Sequence, residues 1–340
     1  MKQHLNTLYI TKDDAWLSLD GETVAVSLNH ERLLRVPLIN LEAIQTFGWN
    51  IGASPQLMAH CSAKGVHIAF CNPHGKLLCN VTGVTSGNVL LRRQQYRMAD
   101  SEAASVNIAR EMVAAKILNA RTVLQRAARD YPNLAAELRH PVRELAQSVK
   151  AARVAEHASS LLGIEGNAAD VYFEAFHAML TTSQFTFDHR NRRPPKDPVN
   201  TLLSFLYSIL ASDCKSALEA VGLDSFVGFY HKDRPGRAGL ALDLMEEFRA
   251  PLADRVALSL FNRGQLSPSD FSFDEEGGCR LTDDARKLVL KTWQTKKADL
   301  IMHPYVQEKM TIGMLLHIQA RLLAQNVRGS LDAYPPMLWH

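Results

Sequence analysis

The sequence predicts an α+β chain: a small mostly-β N-terminal domain over residues 1–89, followed by a larger all-helical domain over residues 90–340. Two observations carry this. Over the first ninety residues, short runs rich in β-branched and aliphatic side chains alternate with Asp-Gly, His-Gly and Asn-Pro turns, the pattern of short strands. From about Leu90 the apolar residues recur at three- and four-residue spacing instead, which is the period of a helix.

Taken in order, the expected strands are "TLYI", "WLSLDG", "TVAVSL", "LLRVPL", "VHIAFCN" and "KLLCNV". Between them "NLEAIQTFG" and "SPQLMAHCSAKG" read as short helices, the second with a serine-proline start and a glycine stop. Beyond Leu90, "RRQQYRMADSEAASVNIAREMVAAKILNARTVLQRAARD" reads as one long amphipathic run ending before Tyr131-Pro132. Further helices are expected over about 135–161, 163–181, 198–221, 240–263, 282–297 and 303–327. Two loops interrupt them: the basic, proline-rich "FTFDHRNRRPPKDPVN" and the acidic "SPSDFSFDEEGGCR", read as a solvent-facing excursion. Phe185 and Phe187 of the first loop are read mainly as its anchors, with base stacking the lesser alternative.

Composition narrows the function classes. Hydrophobic content of 46% and charged content of 21% suit an ordinary globular protein. No apolar run approaches the roughly 20 residues of a membrane helix, and the N-terminus lacks an apolar core before Asp13 and Asp14. A cytoplasmic address and no membrane partner are therefore expected. Five cysteines without a CxxC pair indicate neither a disulfide framework nor a thiolate zinc site. The net charge of +3 is modest, yet arginine is locally dense in "RRQQYR" and "RNRRPPK". Its planar fork of donors favours phosphate, although such a cluster also serves as a plain solvated loop.

The chemistry concentrates in "HKDRPGRAGLALDLMEEFR", where His231 precedes a basic loop and a helix carrying Asp243, Glu246 and Glu247. Residues three and four apart share a helix face, so Asp243 can converge with either glutamate. The stripe Leu240, Leu244, Phe248 and Leu252 faces the core and puts Asp243 at its edge. Pattern alone does not choose between Glu246 and Glu247. Upstream, Glu165 lies in the apolar stretch "LLGIEGNAADVYFEAF" and needs a cation or donor partner if it points inward; otherwise it is a surface or capping charge. His231 alone is read first as a structural histidine, and the company of Asp243, Glu246 and Arg237 is what favours a functional role. One imidazole with convergent carboxylates suits a hard divalent cation engaged in phosphoryl chemistry.

Together these residues resemble the CRISPR-associated integrase-endonuclease family, the first Cas protein of the spacer-acquisition machinery. The likeness runs through "EG-x-AA-x-x-YF" at Glu165 to Phe173, "R-x-RRPP-x-DPVN-x-LLSF-x-Y" at Arg190 to Tyr207, and "H-x5-R-x-x-LALDLMEEFR" at His231 to Arg249. It continues at His303-Pro304, at Gln319 to Arg321 and at the closing "YPPMLW". Ala250 stands where many relatives have proline, and the wording of the motifs points to a type I system.

The resemblance implies a β domain that forms a two-fold dimer and a helical catalytic domain binding Mg²⁺ or Mn²⁺. Carried over by motif, the catalytic residues and metal ligands are Glu165, His231 and Glu246, with Asp243 a secondary ligand or positioning group. On that register Glu247→Ala is expected to be mild. Arg190, Arg192, Arg193, Lys232 and Arg237 are candidate DNA contacts on charge grounds. The implied activity is metal-dependent endonuclease and integrase chemistry on double-stranded and branched DNA, inserting short foreign DNA into a CRISPR array. The implied partner is the small second Cas protein, in a heterohexamer. A different class stays open, a DNA-binding assembly scaffold whose metal site is weak or unused. A small-phosphate hydrolase is disfavoured by the lack of a glycine-rich phosphate loop.

Overall fold

A computed structural model describes residues 6–73, 77–81, 88–191 and 194–339. The first strands run β1 (Asn6–Ile10), β2 (Trp16–Asp20), β3 (Thr23–Leu28), β4 (Glu31–Pro37), β5 (Leu41–Phe47) and β6 (Gly52–Ala53). Helix α1 (Pro55–Lys64), β7 (His67–Cys71) and β8 (Leu77–Val81) follow. They build two four-stranded sheets, ordered β1-β5-β7-β8 and β4-β3-β2-β6. The β3–β4 hairpin turns through Asn29 and His30, both at positive φ (49° and 68°), the conformation whose twist matches paired strands. Helix α1 has the ends its sequence indicates: the Ser54 hydroxyl accepts from Leu57 N at 3.2 Å, and Gly65 closes it at φ 68°. One core joins both sheets and α1 through Leu17, Val24, Ile44, Leu57, Cys61 and Ile68.

The segment "NLEAIQTFG" is a strand, not a helix. β5 pairs in parallel with both β1 and β7, so it is an interior strand. Interior parallel strands are covered on both faces and lose the polar alternation that marks a strand in sequence. Ile44, Gln45, Thr46 and Phe47 are all buried.

The helical part opens with α2 (Val89–Asp100) and α3 (Glu102–Asp130). The single long run expected here is broken at Ser101, whose hydroxyl accepts from Ala104 N at 3.4 Å and starts a new helix. Next come α4 (Ala135–Arg153), α5 (Ala158–Met179), α6 (Pro198–Val221) and α7 (Gly239–Met245). A π-helical turn at Arg249–Asp254 separates α7 from α8 (Arg255–Asn262), so the expected helix 240–263 is three pieces. Pro251, which has no N–H to give an α-helical bond, lies inside that wide turn.

The acidic loop is a hairpin, β9 (Phe271–Phe273) with β10 (Cys279–Leu281). It is not a free excursion: Cys279 N donates to Pro195 O and Thr201 Oγ1 donates to Cys279 O, while Phe271 and Cys279 are buried. The remaining elements are α9 (Asp283–Lys297), the hairpin β11 (Leu300–Met302) with β12 (Lys309–Thr311), and α10 (Ile312–Val327). The helix expected from residue 303 therefore starts nine residues later, capped by the Thr311 hydroxyl on Met314 N.

The chain divides into two compact units, residues 1–87 with 283–298, and residues 88–282 with 299–340. Helix α9 thus belongs to the strand-rich unit, where it packs on β1, although its sequence lies deep in the helical half. Helical periodicity shows that α9 has an apolar stripe; it carries no information about which core that stripe joins. Among the described residues, no helix is long and apolar enough to cross a membrane.

Candidate active site

Every candidate ligand lies in the unit that contains α2–α8 and α10. The loop between α6 and α7 carries His231 and is pinned from two sides. Gln95 of α2 donates to the carbonyls of Asp224 and Val227, both at 2.8 Å, and accepts from Asp224 N at 2.9 Å. From the other side, fully buried Asp243 accepts four hydrogen bonds. They come from Phe229 N (2.7 Å), Tyr230 N (3.0 Å), His231 N (2.8 Å) and His231 Nδ1 (2.7 Å). The turn is tight enough to need glycine. A Cβ on Gly228 would stand 2.7 Å from His231 O, and one on Gly239 would stand 2.6 Å from the same oxygen.

Asp243 fixes the imidazole as well as the backbone. With Nδ1–H donated to the carboxylate, Nε2 carries the free lone pair, the arrangement by which carboxylates orient metal-binding or proton-transferring histidines. Asp243 spends its hydrogen-bonding capacity on the loop, so its geometry is that of a positioning group.

Glu165 on α5 and Glu246 just past α7 converge on the ammonium of Lys116, which projects from α3. Lys116 Nζ donates to Glu165 Oε1 and, at 2.7 Å, to Glu246 Oε2. Arg249 grips Glu246 with one nitrogen at 3.0 and 3.1 Å from its two oxygens. Burial alone raises the Glu246 pKa, but Arg249, Lys116 and His231 outweigh it and bring it down to about 2. A carboxylate this buried needs such partners to stay ionised. Tyr230 OH donates to Glu165 Oε2 at 3.4 Å, and its own pKa is raised by burial and by Glu165.

Behind this pair lies a supporting layer. The Arg249 guanidinium stacks on the Tyr207 ring at 4.4 Å, and Tyr207 OH donates to Asp254 at 2.5 Å. Tyr172 OH donates to the other Asp254 oxygen at 3.0 Å. Burial raises the Asp254 pKa against the opposing effects of Tyr207 and Arg249. The π-helical turn is what lets Arg249 face the site while Asp254, five residues on, reaches under Tyr207.

Glu247 does something else entirely. It is fully buried and accepts from Tyr334 OH (2.5 Å), Met337 N (2.7 Å) and Gln319 Nε2 (2.9 Å). Asn119 completes the anchor, donating to Glu247 O and Met337 O and accepting from Trp339 N. Glu247 therefore ties down "YPPMLW", so its removal is expected to act through stability, whatever it does to the chemistry of the site. Burial raises its pKa to about 7, against the donors around it.

The site opens on a groove lined by Arg190, Tyr207, His231, Arg234, Arg237 and Arg249, with Glu246 in its wall. Of the candidate DNA contacts, Arg190 and Arg237 line it. Arg190 is partly committed, donating to Asn200 at 2.5 Å and Ser204 at 3.0 Å. Lys232 is exposed but is not part of the lining. Arg192 and Arg193 lie outside the described residues. Phe185 and Phe187 are buried against Phe261, Phe271, Phe173 and Phe176, which makes them loop anchors.

Sequence reasoning missed Lys116, Arg249, Gln95 and Arg234. Lys116 had a readable signal: it is one lysine in the otherwise apolar run "MVAAKIL", the same kind of buried-charge anomaly as Glu165. Among the described residues, no three His, Cys, Asp or Glu side chains stand where they would jointly hold an ion. The donor chemistry nevertheless fits a hard cation. Two carboxylates already meet on one cationic atom, and an oriented imidazole shares the groove wall with one of them, Glu246.

The chain matches the family model "CRISPR associated protein Cas1" over residues 8–295. It is 46% identical over 343 residues to the "CRISPR-associated endonuclease Cas1 1" of Chlorobaculum tepidum, covering 100% of both chains. Among solved structures, it superposes on a chain of a "Cas6-RT-Cas1--Cas2 complex" with a TM-score of 0.83 at 25% identity, covering 99% of this chain and 36% of that one. A casposase bound to integration product shares the fold, with a TM-score of 0.84 at 22% identity over 96% of this chain and 92% of the other. With this likeness along nearly its whole length, the chain belongs to the Cas1 family.

Proposed function

We propose that this protein is a divalent-metal-dependent DNA endonuclease and integrase that joins short foreign DNA to a CRISPR array by strand transfer at a phosphodiester. The observation that carries the reading is the convergence of Glu165 and Glu246 on one cationic point, with Glu246 and His231 both in the wall of an arginine-lined groove. Endonuclease activity is named for the 46% identical relative, and integration for a protein of the same fold.

Glu165, Glu246 and His231 Nε2 would hold Mg²⁺ or Mn²⁺. When bound, such an ion offsets charge on the pentacoordinate phosphorus and orients an attacking or leaving oxygen. Arg237 and Arg234 draw the strand into the groove through its phosphates, without reading sequence. Arg249 keeps Glu246 ionised and fixed, while Asp243 keeps His231 in one orientation. In integration the nucleophile is the 3′-hydroxyl of the incoming DNA; with water in its place the same site gives hydrolysis. A homodimer, and assembly with the small second Cas protein in a heterohexamer, belong to the same proposal; the Cas2 complex of the structural relative supports the partner.

Purified protein, a 3′-hydroxyl donor duplex, supercoiled repeat DNA and Mn²⁺ provide the test. Glu165→Ala and His231→Ala should each abolish joined and nicked products while leaving the melting temperature near wild type. Undiminished products from both variants would refute the assignment. A second reading, a DNA-binding scaffold with an unused metal site, has one observation in its favour: Lys116 already pairs with both carboxylates. A scaffold would bind branched DNA equally with and without Mn²⁺ and yield no products.

A further inference from the structure

Lys116 stands where the proposed ion would sit. Its ammonium is the shared partner of Glu165 and Glu246, its side chain is only 14% exposed, and it projects from the interior of α3, the longest helix among the described residues. Two carboxylates forced this close would repel one another if nothing cationic lay between them. Arg249 does not serve that purpose for Glu165, because it grips Glu246 alone. We infer that Lys116 is a tethered counter-ion that holds the two carboxylates together before metal arrives and is displaced by the divalent cation, so that it sets the metal affinity of the site. The inference rests on the metal-site reading above and deepens it.

Displacement has somewhere to go. A cavity of about 30 Å³ is lined by Lys116 itself with Glu165, Tyr172, Tyr207, Arg249 and Asp254. That is room enough to hold one water, and an ammonium head is of similar size. The charges also balance. A divalent ion between two carboxylates and a neutral imidazole leaves no net negative charge for the ammonium to neutralise. Lys116 is thus a positioning residue: it preserves ligand geometry in the metal-free protein and competes with the ion for it.

Two measurements test this. In the first, Mn²⁺ binding to the full-length protein is followed by titration calorimetry. Lys116→Gln should bind Mn²⁺ about tenfold or more tightly than wild type, the scale on which one adjacent charge moves such an equilibrium, whereas Lys116→Arg should not gain affinity. Affinity that is unchanged or weaker in Lys116→Gln would overturn the inference. In the second, wild-type protein is treated with an amine-reactive reagent, and Lys116 modification is quantified by mass spectrometry, which does not depend on a variant folding. Labelling of Lys116 should change severalfold when Mn²⁺ is added, because the ammonium loses both carboxylate partners; labelling that stays flat would overturn the inference. Glu165→Gln and Glu246→Gln separate the two layers. If both lose Mn²⁺ binding while Lys116→Gln gains none, only the counter-ion role fails. If neither changes Mn²⁺ binding, the metal-site reading fails with it.

Discussion

Glu246 and Glu247 are adjacent in sequence and opposite in electrostatics. Glu246 meets Lys116 and Arg249 and is held near pKa 2, while Glu247 sits among uncharged donors and is raised to about 7. The pH consequences have opposite sign. For Glu246 the folded pKa lies below the ordinary 4.5, so its contribution is full above pH 4.5 and is lost as pH falls towards 2. For Glu247 the folded pKa lies above 4.5, so its contribution is full below pH 4.5 and is lost as pH rises through about 7. A rise of that size corresponds to on the order of 3 kcal/mol. Glu247→Gln, which imitates the protonated acid, should flatten the decline in stability between pH 4.5 and 7 seen in denaturant titrations of the wild type. An unaltered decline would mean that another group causes it. Glu247→Ala is a harsher change, because it strands the Tyr334, Met337 and Gln319 donors in the interior. It should cost about 3 kcal/mol or more and lower the melting temperature by several degrees. No pattern in "DLMEEFR" announced this difference. Helical phase shows which side chains share a face, but the acceptor-seeking tail that claims Glu247 comes from residues ninety positions away.

At the level of elements, the sequence was most readable where local chemistry decides. Ser54 and Gly65 bound α1, and Asp197, accepting from Asn200 N, starts α6. It was least readable where tertiary structure overrides local period. β5 lost its alternation to burial on both faces, and α9 joined the strand-rich unit. The π-helical turn at Arg249–Asp254 could not be read from spacing, because it changes the very period on which spacing arguments rest. That turn and the His231 loop are the elements that make the site. The loop makes a strong claim on its glycines. Gly239→Ala would drive a Cβ to 2.6 Å from His231 O and 2.9 Å from Phe226 O, both backbone atoms unable to swing aside. It should destabilise the protein by about 2 kcal/mol or more and displace His231. Gly163→Ala is the control, since nothing lies within 4 Å of its new Cβ. Equal melting temperatures for the two variants would contradict the packing described for the loop.

For the molecule as a whole, the α+β class was legible and so were Glu165, His231 and Glu246 as candidates, and the means by which they are held were not. Candidate ligands are written locally, in motifs. Their supports, Lys116, Gln95, Tyr207 and Asp254, are scattered over α2, α3, α6 and the π-helical turn, and only the fold assembles them. The groove gives a prediction at this scale. Arg234 and Arg237 line it, so Arg234→Ala with Arg237→Ala should weaken DNA binding uniformly across sequences. The slope of log affinity against log salt should shrink by about 0.9 for each lost phosphate contact. A double variant with the wild-type slope would place the DNA elsewhere.

The most direct measurement is anomalous scattering from a crystal of the protein soaked in Mn²⁺. The account predicts one peak bounded by Glu165, Glu246 and His231 Nε2, with the Lys116 ammonium withdrawn from both carboxylates. Lys116 still bridging the two glutamates, with no manganese between them at saturating concentration, would contradict it.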